Sequence, residues 1–247
     1  MGINYLFDSN INSENNIQLE NSSEIDSDII NNKQQINDLK NGEDILSNKE
    51  FYQHYLLSLT NITNKNVILL GDSKIGKTKL FNLILGNNDS DEKEINTEQN
   101  FAYFEEKTLK INGLEINVNV WDTPGKPKHQ EANKHFIKDC IISYLCFHFK
   151  IKKSLENIKN YYINLVREIN GKNTFIVLVG IKNKIIEDED DNGDNITINM
   201  IKNLAENNNV LYYIVSLDDN NSVNYFFYDS IKQYSLYKAR INYINKN

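Results

Sequence analysis

Residues 66–85 have the sequence NVILLGDSKIGKTKLFNLIL, an apolar run followed by a glycine-rich turn and a second periodic run. The run at residues 66–70 predicts a buried strand, and residues 77–85 predict a helix. Between them, GDSKIGKT at residues 71–78 matches the pattern G-x-x-x-x-G-K-[ST] without a gap. Because this pattern requires a strand before it and a helix after it, the flanking elements make the match specific. The stretch therefore predicts an α/β domain with a phosphate-binding loop.

The glycine-rich turn offers backbone N–H groups and a helix N-terminus to an anion. Its two glycines let the backbone curl so that these groups face the phosphates, and the helix that begins near Lys77 adds its positive dipole end. Lys77 is expected to reach the terminal phosphates, and the Thr78 hydroxyl is expected to ligate Mg²⁺. The expected phosphate-binding residues are Gly71, Asp72, Ser73, Lys74, Ile75, Gly76, Lys77 and Thr78. The alternative, a chance Gly-Lys turn at a strand end, does not account for the flanking elements.

A second loop, WDTPG at residues 121–125, follows another predicted strand. Asp122 is expected to hold Mg²⁺ through a water molecule, and the Gly125 N–H is expected to face a terminal phosphate. Taken alone, this loop is also compatible with an ordinary Pro-Gly turn after an edge strand. Its interval from the first loop places both at the same edge of a parallel sheet, which favours a shared phosphate and magnesium site.

The remaining pattern alternates strands and helices. Two strands, at residues 101–111 and 114–121, are joined by Asn112-Gly113, a hairpin turn signal. Further strands are predicted at residues 141–149, 174–179 and 210–215, and helices at residues 155–168, 200–206 and 223–240. This order predicts an α/β fold with a mostly parallel six-stranded sheet, one antiparallel edge strand and helices on both faces.

The length and composition allow one nucleotide-binding domain with extra segments. Of the 247 residues, 66–243 are assigned to the domain, 49–65 to a short helix and a linker, and 1–48 to an Asn-rich extension that is expected to be mostly disordered. The net charge of −7 opposes nucleic-acid binding, because that binding depends on Lys and Arg. Cys140 and Cys146 lie in an apolar run and are expected to be buried thiols.

Over residues 66–240 the chain resembles the Ras-like small GTPases, and in particular their Rab branch. The segment LKINGLEINVNVWD at residues 109–122 is similar to the family's interswitch hairpin at its apolar and turn positions, and Trp121 is a Rab-like choice. SLENI at residues 154–158 is similar to the start of the family's helix after the fourth strand. The resemblance implies the P-loop small-GTPase fold and a divergent Rab-like GTP/GDP switch in vesicle trafficking, with Mg²⁺ as cofactor and protein effectors and regulators as partners.

One expected magnesium ligand, Thr97, is offset from its place in this resemblance. The family's effector-loop threonine, which closes over Mg²⁺, corresponds to Thr97 only with a two-residue shift, because alignment on the hairpin places Gln99 there. Thr97 is equally compatible with a solvated loop threonine.

The hydrolytic loop departs from the family's pattern. Pro124 replaces the usual alanine, and Lys126 stands where the family has a water-orienting glutamine. GTP hydrolysis is therefore expected to be slow, and no residue is assigned as catalytic. Gln130 or His129 is an alternative for orienting water, although both residue types are also common in mobile polar loops.

The base-recognition pattern Asn-Lys-x-Asp is only partly kept. VGIKNK at residues 179–184 retains the stacking lysine as Lys182, but replaces the asparagine by Ile181 and the aspartate by Lys184. A lysine cannot accept the hydrogen bonds that the guanine ring nitrogens donate. The loss of this charge-assisted pair predicts weaker affinity and discrimination.

The family's Ser-Ala-Lys loop is also altered. It corresponds to Ser216, Leu217 and Asp218, of which only the serine is retained. A backbone N–H of this loop is still expected to reach the base carbonyl, so Ser216 and Leu217 join the expected nucleotide-binding residues.

Two further features bear on partners and location. The acidic insertion at residues 187–195 is expected to be a solvated loop, because the ligand spacing and closing glutamate of a calcium loop are absent. The last four residues, INKN, contain no cysteine for prenylation, and Gly2 offers only a weak myristoylation site because Leu6 stands where Ser or Thr is preferred. A cytoplasmic protein is expected, with at most peripheral association with intracellular membranes.

Three hypotheses follow. The first is a divergent Rab-like GTPase with slow hydrolysis, favoured by the intact phosphate loop and Asp122. The second is a pseudo-GTPase that serves as a protein-interaction platform with weak or no nucleotide binding, favoured by Lys126, Ile181 and Lys184. The third, an ATPase of another P-loop family, is allowed by the lost guanine-reading aspartate and opposed by the compact small-GTPase layout.

Overall fold

The computed structural model describes residues 49–87, 101–182 and 196–246. Its centre is one six-stranded sheet in the order β2-β3-β1-β4-β5-β6. In chain order the strands are β1 (Lys65–Leu70), β2 (Tyr103–Ile111), β3 (Leu114–Asp122), β4 (Cys140–His148), β5 (Phe175–Lys182) and β6 (Leu211–Ser216). The edge strand β2 is antiparallel to β3, and the other pairs are parallel. The predicted fold class is confirmed.

Helices cover both faces of this sheet. They are α1 (Lys49–Thr60), α2 (Lys77–Leu85), α3 (Gln130–Ile137), α4 (Lys152–Asn157), α5 (Ile163–Asn170), α6 (Ile198–Asn208) and α7 (Asn220–Lys246), with a 3₁₀ turn at Pro127–His129 and a π-helical segment at Ile158–Tyr162. One core lies under α1, α2 and α7, and a second lies under α4 to α6 on the opposite face. Within the described ranges, no helix is both long and apolar enough to cross a membrane.

The predicted elements match the observed ones with two differences of note. No helix is predicted from the sequence at residues 130–137, where α3 forms; α3 buries only Asn133 and Ile137, so its apolar periodicity is weak. The helix predicted at residues 155–168 is instead a continuous helical stretch from α4 to α5 whose middle is π-helical. The predicted helix at residues 77–85 has the observed bounds.

The helix α1 belongs to the buried core. Phe51, Tyr55 and Leu59 of α1 are at most 2% exposed, and α1 packs against α7 and β3. The Phe51 ring meets the Tyr243 ring of α7 edge-on at 5.9 Å. The core therefore begins at α1, within the stretch that was predicted as a short helix and a linker.

Strand register brings the ends of four strands to one edge of the sheet. Leu69 of β1 pairs with Asp122 of β3, and Lys182 of β5 pairs with Ser216 of β6. Each of these residues lies at or near the carboxyl end of its strand. Because these strands are parallel, the carboxyl ends of β1, β3, β5 and β6 lie at the same edge, which is where ligands bind in open α/β sheets.

The two thiols are buried as predicted. Cys140 and Cys146 are free cysteines, and both side chains lie in the core. Burial raises the pKa of each thiol to about 12. Both are therefore protonated and unreactive near neutral pH.

Candidate functional site

The phosphate loop has a backbone that glycine makes possible. Gly71 has φ +143° and Gly76 has φ +98°, both in the region that side chains disfavour, and Lys74 adopts φ +64°. A Cβ atom on Gly71 would lie 2.3 Å from the Cys146 carbonyl oxygen of β4. Of the other predicted loop residues, Ile75 is buried beneath the loop, and Ser73 is exposed. The loop thus turns tightly against β4 before α2 begins.

Lys77 places a buried cation inside this loop. Its side chain is 5% exposed, and its Nζ donates to the carbonyl oxygens of Gly71 at 2.9 Å and Asp72 at 2.6 Å. Burial lowers the Lys77 pKa, and the negative charge of Asp122 opposes that shift. A charged phosphate oxygen is a stronger hydrogen-bond acceptor than a peptide carbonyl oxygen. A phosphate bound in this loop would therefore replace the two carbonyl oxygens as the acceptor of the Lys77 ammonium group.

Two predicted magnesium ligands face each other. The Thr78 hydroxyl donates to Asp122 Oδ2 at 2.6 Å, and Asp122 is fully buried. A hydroxyl and a carboxylate are oxygen ligands that suit Mg²⁺, which usually completes its shell with phosphate oxygens and water. The donor set therefore fits Mg²⁺. The third predicted ligand, Thr97, lies outside the described residues, among which no group of three or more His, Cys, Asp or Glu forms a separate metal site.

The loop after β3 touches the phosphate loop. A Cβ atom on Gly125 would lie 2.3 Å from the Ser73 backbone nitrogen and 2.3 Å from the Asp72 carbonyl carbon. The Thr123 hydroxyl donates to the Leu69 carbonyl oxygen at 2.6 Å, which ties this loop to β1. The two motifs thus meet at one sheet edge, and only glycine fits at the contact.

The predicted base-reading residues also come together, and two of the side chains at this end, those of Ile181 and Leu217, are apolar. Ile181 and Leu217 are at most 3% exposed and would lie 3.3 Å and 3.0 Å from a Cβ atom on Gly76. The Lys182 Nζ lies 5.6 Å from the centroid of the Phe149 ring. Lys184 lies outside the described residues. At this end Ile181 and Leu217 pack against the phosphate loop, where polar side chains would form hydrogen bonds.

The backbone donors of the loop after β6 have partners within the protein. The Leu217 N–H, one of the backbone donors of this loop, donates to the Lys182 carbonyl oxygen at 3.0 Å. The Asp218 N–H lies 3.4 Å from the Ser216 hydroxyl oxygen, and the Asp218 carboxylate lies 3.9 Å from the Lys79 ammonium group. To bind a base carbonyl, the Leu217 N–H would have to leave the Lys182 carbonyl oxygen or be shared between the two acceptors.

Asp72 has side-chain partners that the sequence did not reveal. Asn157 Nδ2 donates to Asp72 Oδ2 at 2.7 Å, and the Tyr162 hydroxyl lies 3.4 Å from Asp72 Oδ1. A carboxylate in a phosphate-binding loop needs hydrogen-bond donors on the side away from the phosphates. The presence of Asp72 in the motif was therefore the one sequence signal that such donors lie elsewhere in the chain.

A partly exposed aromatic stack lies beside the loop after β3. Trp121 stacks on Phe104 at 4.7 Å and on Phe136 at 5.0 Å, both with ring planes 32° apart. Phe104 is 49% exposed. We call these three residues the aromatic surface. Large aromatic side chains are enriched at protein interfaces, so this surface suits a protein partner.

Comparison with known proteins agrees with this arrangement. A model of the Ras family matches residues 66–235. The probable Rab-related GTPase of Acanthamoeba polyphaga mimivirus is 27% identical over 161 residues, which are 65% of this chain and 72% of that protein. The Ras-related protein Rab-21 of Homo sapiens is 28% identical over 167 residues, 68% of this chain and 70% of that protein. The Ras-related protein RABG3b of Arabidopsis thaliana is 27% identical over 163 residues, 64% of this chain and 76% of that protein.

Proposed function

Because this chain belongs to the Ras family, we propose that it is a divergent Rab-like switch that binds GTP and GDP with Mg²⁺ and hydrolyses GTP slowly. The observation that carries the proposal is the joint placement of Lys77, Thr78 and Asp122. Lys77 and Thr78 at the end of the phosphate loop and Asp122 at the end of β3 thus bring one buried cation and two oxygen ligands together. A fold kept only for protein contacts has no evident need for this set.

The mechanism follows from what these side chains can do. Lys77 exchanges two carbonyl acceptors for phosphate oxygens, which are stronger acceptors because they are charged. Thr78 and Asp122 would hold Mg²⁺, which neutralises charge on the phosphate oxygens when bound. Gly125 brings its backbone against Asp72 and Ser73 of the phosphate loop, so its N–H is proposed to face a terminal phosphate bound there. Lys126, the next residue, is a cation that has no acceptor for orienting a water molecule, so hydrolysis is slow.

The proposed partners are protein effectors and regulators, and the proposed setting is vesicle trafficking in the cytoplasm with peripheral membrane association. The relatives include Rab proteins, and the aromatic surface supplies a contact area for an effector. Its position next to Asp122 supports binding that depends on the nucleotide.

Calorimetry of the purified protein with GTP, GDP and ATP, with and without Mg²⁺, tests this function. We expect micromolar or tighter GTP binding that Mg²⁺ strengthens. Thr78→Ala should weaken GTP binding about tenfold in Mg²⁺ and hardly at all in EDTA, because it removes a magnesium ligand. Thr108→Ala, which removes an exposed hydroxyl on β2, is the matched control. Absence of binding by all three nucleotides would contradict the proposal.

A second candidate function, a pseudo-GTPase platform, is favoured by the base end of the site. Ile181 and Leu217 are packed against the phosphate loop, and the Leu217 N–H is engaged by Lys182. For either candidate function, we expect weak discrimination between GTP and ATP, because the apolar side chains at the base end do not distinguish guanine from adenine. If the affinity for a protein partner is unchanged by Lys77→Ala and by added nucleotide, the chain acts as a platform.

Replacing Lys126 by glutamine should accelerate GTP hydrolysis by at least about tenfold, because the glutamine amide can accept a hydrogen bond from the attacking water and orient it, which an ammonium group cannot. Lys126 follows Gly125, whose backbone contacts the phosphate loop, so a glutamine at residue 126 is placed to orient water. Single-turnover phosphate release measures the effect. Lys128→Gln, an exposed lysine two residues on, should leave the rate unchanged. Equal rates for both variants and the parent would show that residue 126 does not limit hydrolysis.

A further inference from the structure

Lys74 lies in the phosphate loop with a backbone conformation that lysine disfavours. Its φ is +64°, in the left-handed region where the Cβ atom crowds the following carbonyl oxygen. The other non-glycine residues with positive φ in the described ranges are of two types, asparagine and aspartate, whose short polar side chains tolerate this region: Asn64, Asn112, Asn209 and Asp139. Lysine is thus the exception, and glycine would fit at residue 74 with less backbone strain.

The Lys74 side chain has no structural contact that would offset this strain. It is exposed, whereas the next residue, Ile75, is buried beneath the loop. No ion pair within the part of the chain that the structure describes uses its ammonium group. Strained backbone conformations are concentrated at active sites and ligand-binding sites. A ligand outside the protein chain therefore explains a lysine at residue 74 better than packing does.

The charges of the loop identify this ligand as an anion. The ammonium group of Lys77 lies inside the loop, 2.9 Å and 2.6 Å from the carbonyl oxygens of Gly71 and Asp72. The loop has one acidic residue, Asp72, and its carboxylate accepts from Asn157 Nδ2 of α4 at 2.7 Å. The loop thus carries one cation inside and a second, Lys74, at its exposed rim, while its carboxylate is bound to a neighbouring helix.

We propose that the Lys74 side chain is a second phosphate-binding cation, which binds from the exposed rim of the loop the same phosphate chain that Lys77 binds from inside. This role goes beyond the backbone contact that the loop motif predicts for residue 74, and the identity of the nucleotide rests on the proposed function. A lysine carries a compact charge with three donors on a flexible four-carbon stem. A phosphate chain offers several charged oxygens, so Lys74 and Lys77 bind different ones.

Substitutions at residue 74 separate the charge from the backbone strain. Lys74→Gln keeps the strain and removes the charge, so GTP affinity by calorimetry in Mg²⁺ should fall about tenfold, and Lys74→Arg should retain most of it. Lys74→Gly should lose the same affinity and yet raise the Tm of the nucleotide-free protein by about 1–3 °C. Because salt screens an exposed charge, the affinity loss should shrink between about 0.05 M and 0.5 M NaCl. Asn209→Gly, at an exposed positive-φ residue after α6, is the matched control and should leave GTP affinity unchanged.

Binding of inorganic pyrophosphate with Mg²⁺ separates this role from the proposed function. Lys74→Gln should weaken pyrophosphate binding by a similar factor, because the phosphates alone are the ligand of Lys74. A parent protein that binds pyrophosphate through Lys74 but binds no guanine nucleotide would reject the proposed function and retain the phosphate-binding role. Equal GTP affinity in the parent, Lys74→Gln and Lys74→Gly would overturn the role of Lys74 and retain the proposed function. Absence of binding for both ligands would overturn both.

Discussion

Replacing Lys77 by alanine is expected to weaken GTP binding by about a hundredfold or more. Lys77 is 5% exposed, and its ammonium group lies within 2.9 Å of two loop carbonyl oxygens, so this cation is already held inside the loop. Truncating one partner of a buried charge pair costs about 2–5 kcal/mol, and about 1.4 kcal/mol corresponds to tenfold in affinity. Calorimetry in the presence of Mg²⁺ measures the loss.

The control for this prediction is Lys172→Ala, which removes an exposed lysine in the turn after α5 and should leave GTP binding unchanged. Thermal unfolding of Lys77→Ala establishes that the variant is folded. A folded Lys77→Ala protein that binds GTP within about threefold of the parent would place the phosphates elsewhere. It would also remove the principal support for a working switch.

The phosphate end of the site could be predicted from the sequence because its signal is local. Eight consecutive residues, a strand before them and a helix after them specify the loop, and the parallel order of strands brings Asp122 to it. The backbone angles of Gly71 and Gly76 follow from the same pattern. The sheet order follows from alternating strands and helices, together with the Asn112-Gly113 hairpin.

The connections behind the phosphate loop could not be predicted, because they depend on tertiary contacts. Asn157 and Tyr162 meet Asp72 from 85 and 90 residues away, and the π-helical turn that aligns them has no clear sequence signature. The aromatic surface joins residues of β2, β3 and α3, and α3 itself lacked a helical pattern. At the base end, substitutions were visible in the sequence, but the use of the Leu217 N–H by Lys182 was not.

The second large effect is expected in α1, where Leu59→Ala should lower the free energy of unfolding by about 3 kcal/mol. Leu59 is fully buried in the core that α1 shares with α7, and deleting a buried leucine side chain typically costs about 2–5 kcal/mol. Leu57→Ala is the matched control, because Leu57 lies on the same helix and is 54% exposed. Its cost should be below about 0.5 kcal/mol.

Denaturant unfolding of the two leucine variants distinguishes an integral helix from a detachable one. If α1 is part of the cooperative core, only Leu59→Ala lowers the midpoint, and the slope of the transition stays unchanged. If both substitutions change the unfolding midpoint equally and only slightly, α1 is detached from the rest of the domain in solution. The hydrophobic face of α7 that Phe51 and Tyr55 cover would then be open to another partner. The result therefore decides whether a chain beginning at residue 66 can fold alone, since such a chain would expose that face.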